Sequence, residues 1–189
     1  MKKLTILSVL LLVLLSAAGA QKPKVKIDSE QRYLLLATKK TSTMQKELTE
    51  VAEKGFVIRM GSPTSGTEMA LFLERAAEPP DTYTYLLLAT TRTGTMQKEL
   101  AQAAEEGFRL LPRTMISKQQ MFGGVEVVVV LERPPNVERY YQYKLLATSR
   151  TGTLQKEVTQ AQAEGFVLIG MVSRGEHMVI MERERPADE

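Results

Sequence analysis

The chain has no cysteine and no tryptophan, one histidine, one asparagine and three aspartates among its 189 residues. Each shortage removes a class of chemistry. Without cysteine there is no disulfide framework, thiol nucleophile or thiolate metal site, so stability must come from packing. Asp28, Asp81 and Asp188 lie in linkers or tails, and no nucleophile elbow, zinc-protease, phosphate-loop or dinucleotide fingerprint occurs. His177 opens the last apolar run and reads as a strand-edge residue rather than a general base. Glu47, Glu99 and Glu157, each beside a lysine, read as solvated helix surface. The sequence therefore predicts no catalytic residue, no cofactor, no metal site and no enzyme.

An excess of charge is also missing. There are 25 basic and 22 acidic residues, for a formal net charge of +3. The one long apolar run, Leu4 to Leu15, follows Met1-Lys2-Lys3 and precedes Ala18-Gly19-Ala20, the three regions of a secretory signal peptide cleaved after Ala20. Loss of Lys2 and Lys3 leaves 23 basic against 22 acidic residues, which removes the support for nucleic acid as a partner. The run is short for a membrane span, and no cysteine follows it for lipidation, so no stable membrane anchor is expected after cleavage. The expected location is the periplasm or the medium.

What is present is one module written three times. Tyr33-Leu-Leu-Leu-Ala-Thr recurs from Tyr85 and, with Lys144, from Tyr143. Thr43-Met-Gln-Lys-Glu-Leu recurs from Thr95 and, as Thr-Leu-Gln-Lys-Glu-Val, from Thr153. Gly55-Phe56, Gly107-Phe108 and Gly165-Phe166 follow in register, and the copies close on Glu74-Arg75, Glu132-Arg133 and Glu182-Arg183. Such self-similarity outranks any local reading. It divides the chain into a signal peptide (1–20), an N-terminal extension (21–32), modules at 33–75, 85–133 and 143–183, linkers at 76–84 and 134–142, and a polar tail (184–189).

Each copy reads strand, helix, strand, strand. Met44, Leu48, Val51 and Ala52, matched by Met96, Leu100, Ala103 and Ala104, form one apolar helical stripe. Thr43, Thr95 and Thr153 are the expected N-caps, and the three glycines the expected left-handed helix stops. Pro112 puts the second strand at a sheet edge. Val127 to Leu131, apolar on both faces, belongs in the middle, because an exposed edge of that kind invites association. The predicted fold class is α+β: three βαββ modules, each a three-stranded antiparallel sheet of order 1-3-2 with one helix. Modules of 40 to 50 residues hold little core of their own. They are expected to pack about a pseudo-threefold axis, an open row being the alternative.

The tyrosine-led strand at Tyr85, the helix from Met96, the stop Glu106-Gly107-Phe108 and the closing Glu132-Arg133, with their equivalents, resemble a small bacterial domain of unknown function, number four-one-seven-seven. Phe stands where that family has Trp, and Lys54 where it has Glu. The resemblance implies a strand-helix-strand-strand fold and a bacterial origin, and it brings no catalytic residue.

Two constellations remain as candidate sites. The loops into the helices carry Lys40, Thr41 and Thr43, then Arg92, Thr93 and Thr95, then Arg150, Thr151 and Thr153. A cation, hydroxyls and free helical N–H groups are the ingredients of an anion site, and an N-capped turn copied by duplication is the plainer reading. The longer hairpin of module 2 carries Met121 and Phe122, a candidate partner-binding pair. Tyr83 with Tyr85, and Tyr141 with Tyr143, share strand faces, for packing or for stacking on a sugar. The expected function is an exported binding or structural protein of the bacterial cell envelope. The expected partner is an envelope protein or, alternatively, a small anionic ligand.

Overall fold

The computed structural model describes residues 25–76, 82–120 and 123–185. The expected signal peptide, Met121 and Phe122, and the last four residues lie outside these ranges. Module 1 consists of β1 (Tyr33–Thr38), α1 (Thr41–Ala52), β2 (Phe56–Pro63) and β3 (Met69–Arg75). Module 2 consists of β4 (Thr84–Thr90), α2 (Thr93–Glu105), β5 (Arg109–Leu110), a 3-10 turn (Pro112–Thr114), β6 (Ile116–Gln119) and β7 (Val125–Arg133). Module 3 consists of β8 (Tyr140–Thr148), α3 (Thr151–Ala163), β9 (Val167–Ser173) and β10 (His177–Arg185), so its strands run past Tyr143 and Arg183 into the expected linker and tail.

In every copy the closing strand is central, with orders β1-β3-β2, β4-β7-β5 and β8-β10-β9 and antiparallel pairing throughout. Burial on both faces of β7, from Glu126 through Leu131, is the cause: only a central strand can bury such a run and satisfy both ladders. The second sheet has four strands rather than three. Pro112 has no N–H to donate, so the edge strand stops at Leu110, turns, and resumes as β6 on the same neighbour, β7. Across the gap the Thr114 hydroxyl stands in for a ladder partner, accepting from the Val130 N–H at 2.9 Å and donating to the Leu111 carbonyl at 2.7 Å.

The helix stops behave as expected. Gly55, Gly107 and Gly165 have φ of 78°, 84° and 87°. In α2 the Phe108 N–H donates to the Ala103 carbonyl and the Gly107 N–H to the Ala104 carbonyl, both at 3.0 Å, and α3 repeats the pair at Phe166 and Gly165. Alanine there would cost about 1–2 kcal/mol for the left-handed backbone. At Gly107 its Cβ would also lie 2.8 Å from the Val137 side chain.

The helix starts differ from expectation. Thr43, Thr95 and Thr153 lie inside the helices, and the N-cap positions belong to Lys40, Arg92 and Arg150, which make no side-chain capping bond. The turn closes earlier in the chain. Thr38, Thr90 and Thr148, the last residues of the preceding strands, accept the N–H of Lys40, Arg92 and Arg150 at 3.3, 3.1 and 3.1 Å.

Two core clusters span module boundaries. One joins the α1 stripe and the inner face of the first sheet to Tyr85, Ile116, Val128 and Val130 of module 2. The next joins the α2 stripe to Tyr143, Met178 and Ile180 of module 3. The third holds only module 3 residues, among them Ala161, Phe166 and Met181. β6 and the 3-10 turn touch both β2 and β9, so the outer modules meet the middle one around a shared centre. Of the three boundaries that a threefold arrangement would have, those between modules 1 and 2 and between modules 2 and 3 are packed. Between modules 3 and 1 no core cluster forms among the described residues.

Candidate functional site

The feature with the most defined chemistry is the boundary between successive modules, and it is built twice from equivalent residues. Gln45 on α1 reaches the open edge of β4: its amide donates to the Tyr85 carbonyl at 2.9 Å and accepts from the Leu87 N–H at 2.7 Å. Gln97 on α2 repeats this on β8, with the Tyr143 carbonyl and the Leu145 N–H at the same two distances. One side-chain amide thus imitates a neighbouring strand and satisfies edge groups that would otherwise be left without partners. Beside it, the Ile58 N–H donates to the Tyr85 hydroxyl at 3.2 Å, and the Leu110 N–H to the Tyr143 hydroxyl at 2.8 Å. Burial pushes both phenols well above their ordinary pKa, so both remain protonated.

Charges line the same boundaries. Between modules 2 and 3, Arg109 donates to both carboxylate oxygens of buried Glu182, at 2.8 and 3.2 Å, and Glu182 also accepts from the Tyr143 hydroxyl at 3.1 Å. The Arg109 guanidinium lies 4.4 Å from the Tyr141 ring centroid. Tyr83, Arg109, Glu132, Asn136 and Tyr141 help to line an open cleft of about 470 Å³ here. Within it, burial raises the Glu132 carboxyl above the usual range, against the opposing pull of Arg109 and Arg59. A raised folded pKa means that ionisation weakens the fold as pH rises through the carboxylate range. Glu132→Gln is therefore expected to raise the melting temperature at pH 7 and to leave it unchanged at pH 3, where the wild-type carboxyl is protonated in both states. Melts at the two pH values check this.

A second repeated device explains the Glu-Arg pair that closes each copy. Arg75, Arg133 and Arg183 stack on Phe56, Phe108 and Phe166 at 4.6, 4.7 and 4.7 Å. The same guanidinium groups donate to the carbonyls of Lys54, Glu106 and Glu164, immediately before each helix-stop glycine. The arginine thus caps the helix C-terminus and covers the phenylalanine. The recurrence of Gly-Phe and Glu-Arg in every copy was visible in the sequence, but the sequence does not say that they touch.

The candidate anion loops sit apart in the three modules. Lys40, Arg92 and Arg150 are exposed, and none forms an ion pair among the described residues. Thr41, Thr43, Thr93 and Thr95 are half-buried, whereas Thr151 and Thr153 are exposed. At α2 a carboxylate from the next module already occupies the position: Glu176 Oε1 accepts from the Thr93 hydroxyl at 3.3 Å, and Arg174 bonds both. The candidate pair Met121 and Phe122 lies outside the described residues. Lys118, in the same long hairpin, is buried in β6 and pairs with Glu126 at 2.5 Å. Tyr85 and Tyr143 are buried, which leaves no tyrosine platform for a sugar at either position.

Among the described residues, the equivalent boundary surfaces of modules 1 and 3 are uncovered. Tyr33 and Leu35 are each 52% exposed and Phe72 46%, whereas Tyr85 and Tyr143 are 3% and 6% exposed. At the other end, α3 buries only Ala161, and Leu168, at the position of Ile58 and Leu110, is 51% exposed. Val167 and Met171 lie open beside it. Among the described residues no helix is long and apolar enough to cross a membrane, and no cluster of His, Asp or Glu could hold a metal ion. Comparison with family models, with curated proteins and with solved structures gave no match to the chain.

Proposed function

We propose that this chain is a non-catalytic protein of the bacterial cell envelope that works through protein–protein contact, exported by the signal peptide that the sequence suggests. One observation carries the reading. The apolar surface that joins one module to the next is also present on modules 1 and 3, with no module packed on it among the described residues, where Leu35, Phe72, Leu168 and Met171 stand open. Contiguous exposed apolar surface of this kind marks a binding face in a monomeric protein. At the two packed boundaries the repeated motifs are occupied: the Gln45 and Gln97 amides and the Tyr85 and Tyr143 hydroxyls join the modules, and the Phe-Arg caps close each helix within its own module. The likeness to the small bacterial domain belongs with the same reading, as a structural unit used in tandem.

The test is to place a photo-crosslinking amino acid at Leu35 or Leu168 in cells that export the chain. Light-dependent adducts to protein at these positions, and none from an exposed control position such as Lys46, support protein contact. A chain that forms no adduct at either end refutes it.

A further inference from the structure

We infer that the two open ends are the halves of one interface, and that the partner each fits is a second copy of this chain, joined head to tail. The inference rests on the protein-contact reading above and names its partner. Its ground is continuity with an interface the chain already makes twice.

The face that each module presents to its predecessor is built from the first strand and the closing strand. In module 2 it holds Tyr85, Leu87 and Ala89 with Val128 and Val130, and in module 3 Tyr143, Leu145 and Ala147 with Met178 and Ile180. Module 1 has Tyr33, Leu35 and Ala37 with Ala70 and Phe72 at the same register positions, Leu35 opposite Phe72 as Leu87 is opposite Val130. A terminal repeat that ends a row normally carries a polar outer face. Module 1 does not: its outer face keeps the tyrosine, the leucine and a large apolar partner.

The receiving face is the helix with the strand that follows it. Gln45, Leu48 and Ile58 form it in module 1, and Gln97, Leu100 and Leu110 in module 2. Module 3 supplies Gln155, Val158 and Leu168 in the same places. Among the described residues the Gln155 side chain holds no strand edge and donates to the Thr159 hydroxyl at 3.5 Å. On a second copy it finds the edge of β1, where the Tyr33 carbonyl and the Leu35 N–H take the places of Tyr85 and Leu87. The Tyr33 carbonyl is held meanwhile by the amide of half-buried Gln31 at 2.9 Å, a bond that docking displaces. One position differs. Gln162 stands where Ala52 and Ala104 are buried, so the contact between chains is weaker than those within the chain, and assembly depends on concentration.

The two surfaces differ, so the interface is heterologous. Such contacts propagate until they close a ring or form a fibre, and they do not stop at a symmetric dimer.

The experiment uses the full-length chain as the cell processes and exports it, purified and followed by sedimentation from micromolar to millimolar concentration. The wild type is expected to grow past the dimer. Leu35→Glu and Leu168→Glu change exposed positions, so each variant is expected to melt as the wild type does and to stay monomeric alone. Mixed, each still offers one intact end, so the pair forms a one-to-one dimer and stops there. A photo-crosslinker in place of Gln155 in the otherwise wild-type chain is expected to couple to the Tyr33–Leu36 segment of another copy, which holds the proposal to account even if a variant folds poorly. A wild type that is monomeric throughout, or variants that still dimerise alone, overturns it. If the purified chain is monomeric but its ends form adducts with a different protein in cells, self-assembly fails and the protein-contact reading stands. If no adduct forms at all, both fail.

Discussion

Ending the chain after Pro135 is expected to abolish the cooperative folding of module 2 and to take module 1 with it. Module 3 supplies Tyr143, Met178 and Ile180 to the core that covers the α2 stripe, and each is at most 6% exposed. Burial of one such side chain contributes about 1.5–3 kcal/mol, so three of them approach the whole stability of an ordinary domain, about 5–15 kcal/mol. The truncation also strips Gln97 of the strand edge it holds and Arg109 of the Glu182 carboxylate. Module 1 follows because its own core is closed by Tyr85, Val128 and Val130 of module 2. A thermal melt followed by circular dichroism decides the point. Loss of the transition, or a fall of tens of degrees, is expected, and an unchanged midpoint would mean that the modules are independent.

The second large effect is expected at Lys118. Its side chain is 3% exposed, its ammonium group lies 2.5 Å from Glu126 and 3.2 Å from the Lys39 carbonyl, and Glu126 is itself 11% exposed. Lys118→Met removes one partner and leaves a carboxylate buried without its counter-charge, a change that costs about 3–5 kcal/mol. Lys118→Met combined with Glu126→Leu removes both charges and is expected to recover most of that loss, because burying two ions is itself costly. Urea titrations of the wild type and both variants measure this. If the double variant is no more stable than the single one, the loss comes from the Lys118 stem and its bond to Lys39 rather than from the abandoned carboxylate.

The module was legible because the repeat allowed each ambiguity to be resolved by its copies. The helix stripe, the left-handed glycines and the central closing strand all follow from side-chain chemistry within a single copy. The helix starts were misread for a local reason: Thr43 has a good capping side chain, but Thr38, at the end of the strand, closes the turn first. The fourth strand of module 2 was hidden because Pro112 marks an interruption, and the sequence does not say that pairing resumes after it. The polar contacts between modules were beyond reach, since Gln45 and Tyr85 are 40 residues apart and a helical glutamine gives no sign in the sequence of holding a distant strand edge. The choice between a closed ring and an open row depends on the angle between packed modules, which no residue pattern encodes.

That choice is open to one direct measurement. Leu35, Leu87 and Leu145 occupy the same position on the first strand of each module, and Gln45 and Gln97 hold the amides of the second and third. Hydrogen exchange at these three amides in dilute solution reads the three boundaries together. The Leu87 and Leu145 amides are expected to exchange slowly and the Leu35 amide quickly, with Leu35 gaining protection as concentration rises. Equal protection of all three in dilute solution would mean a closed ring of modules, and fast exchange at all three would mean that the repeated interface does not form.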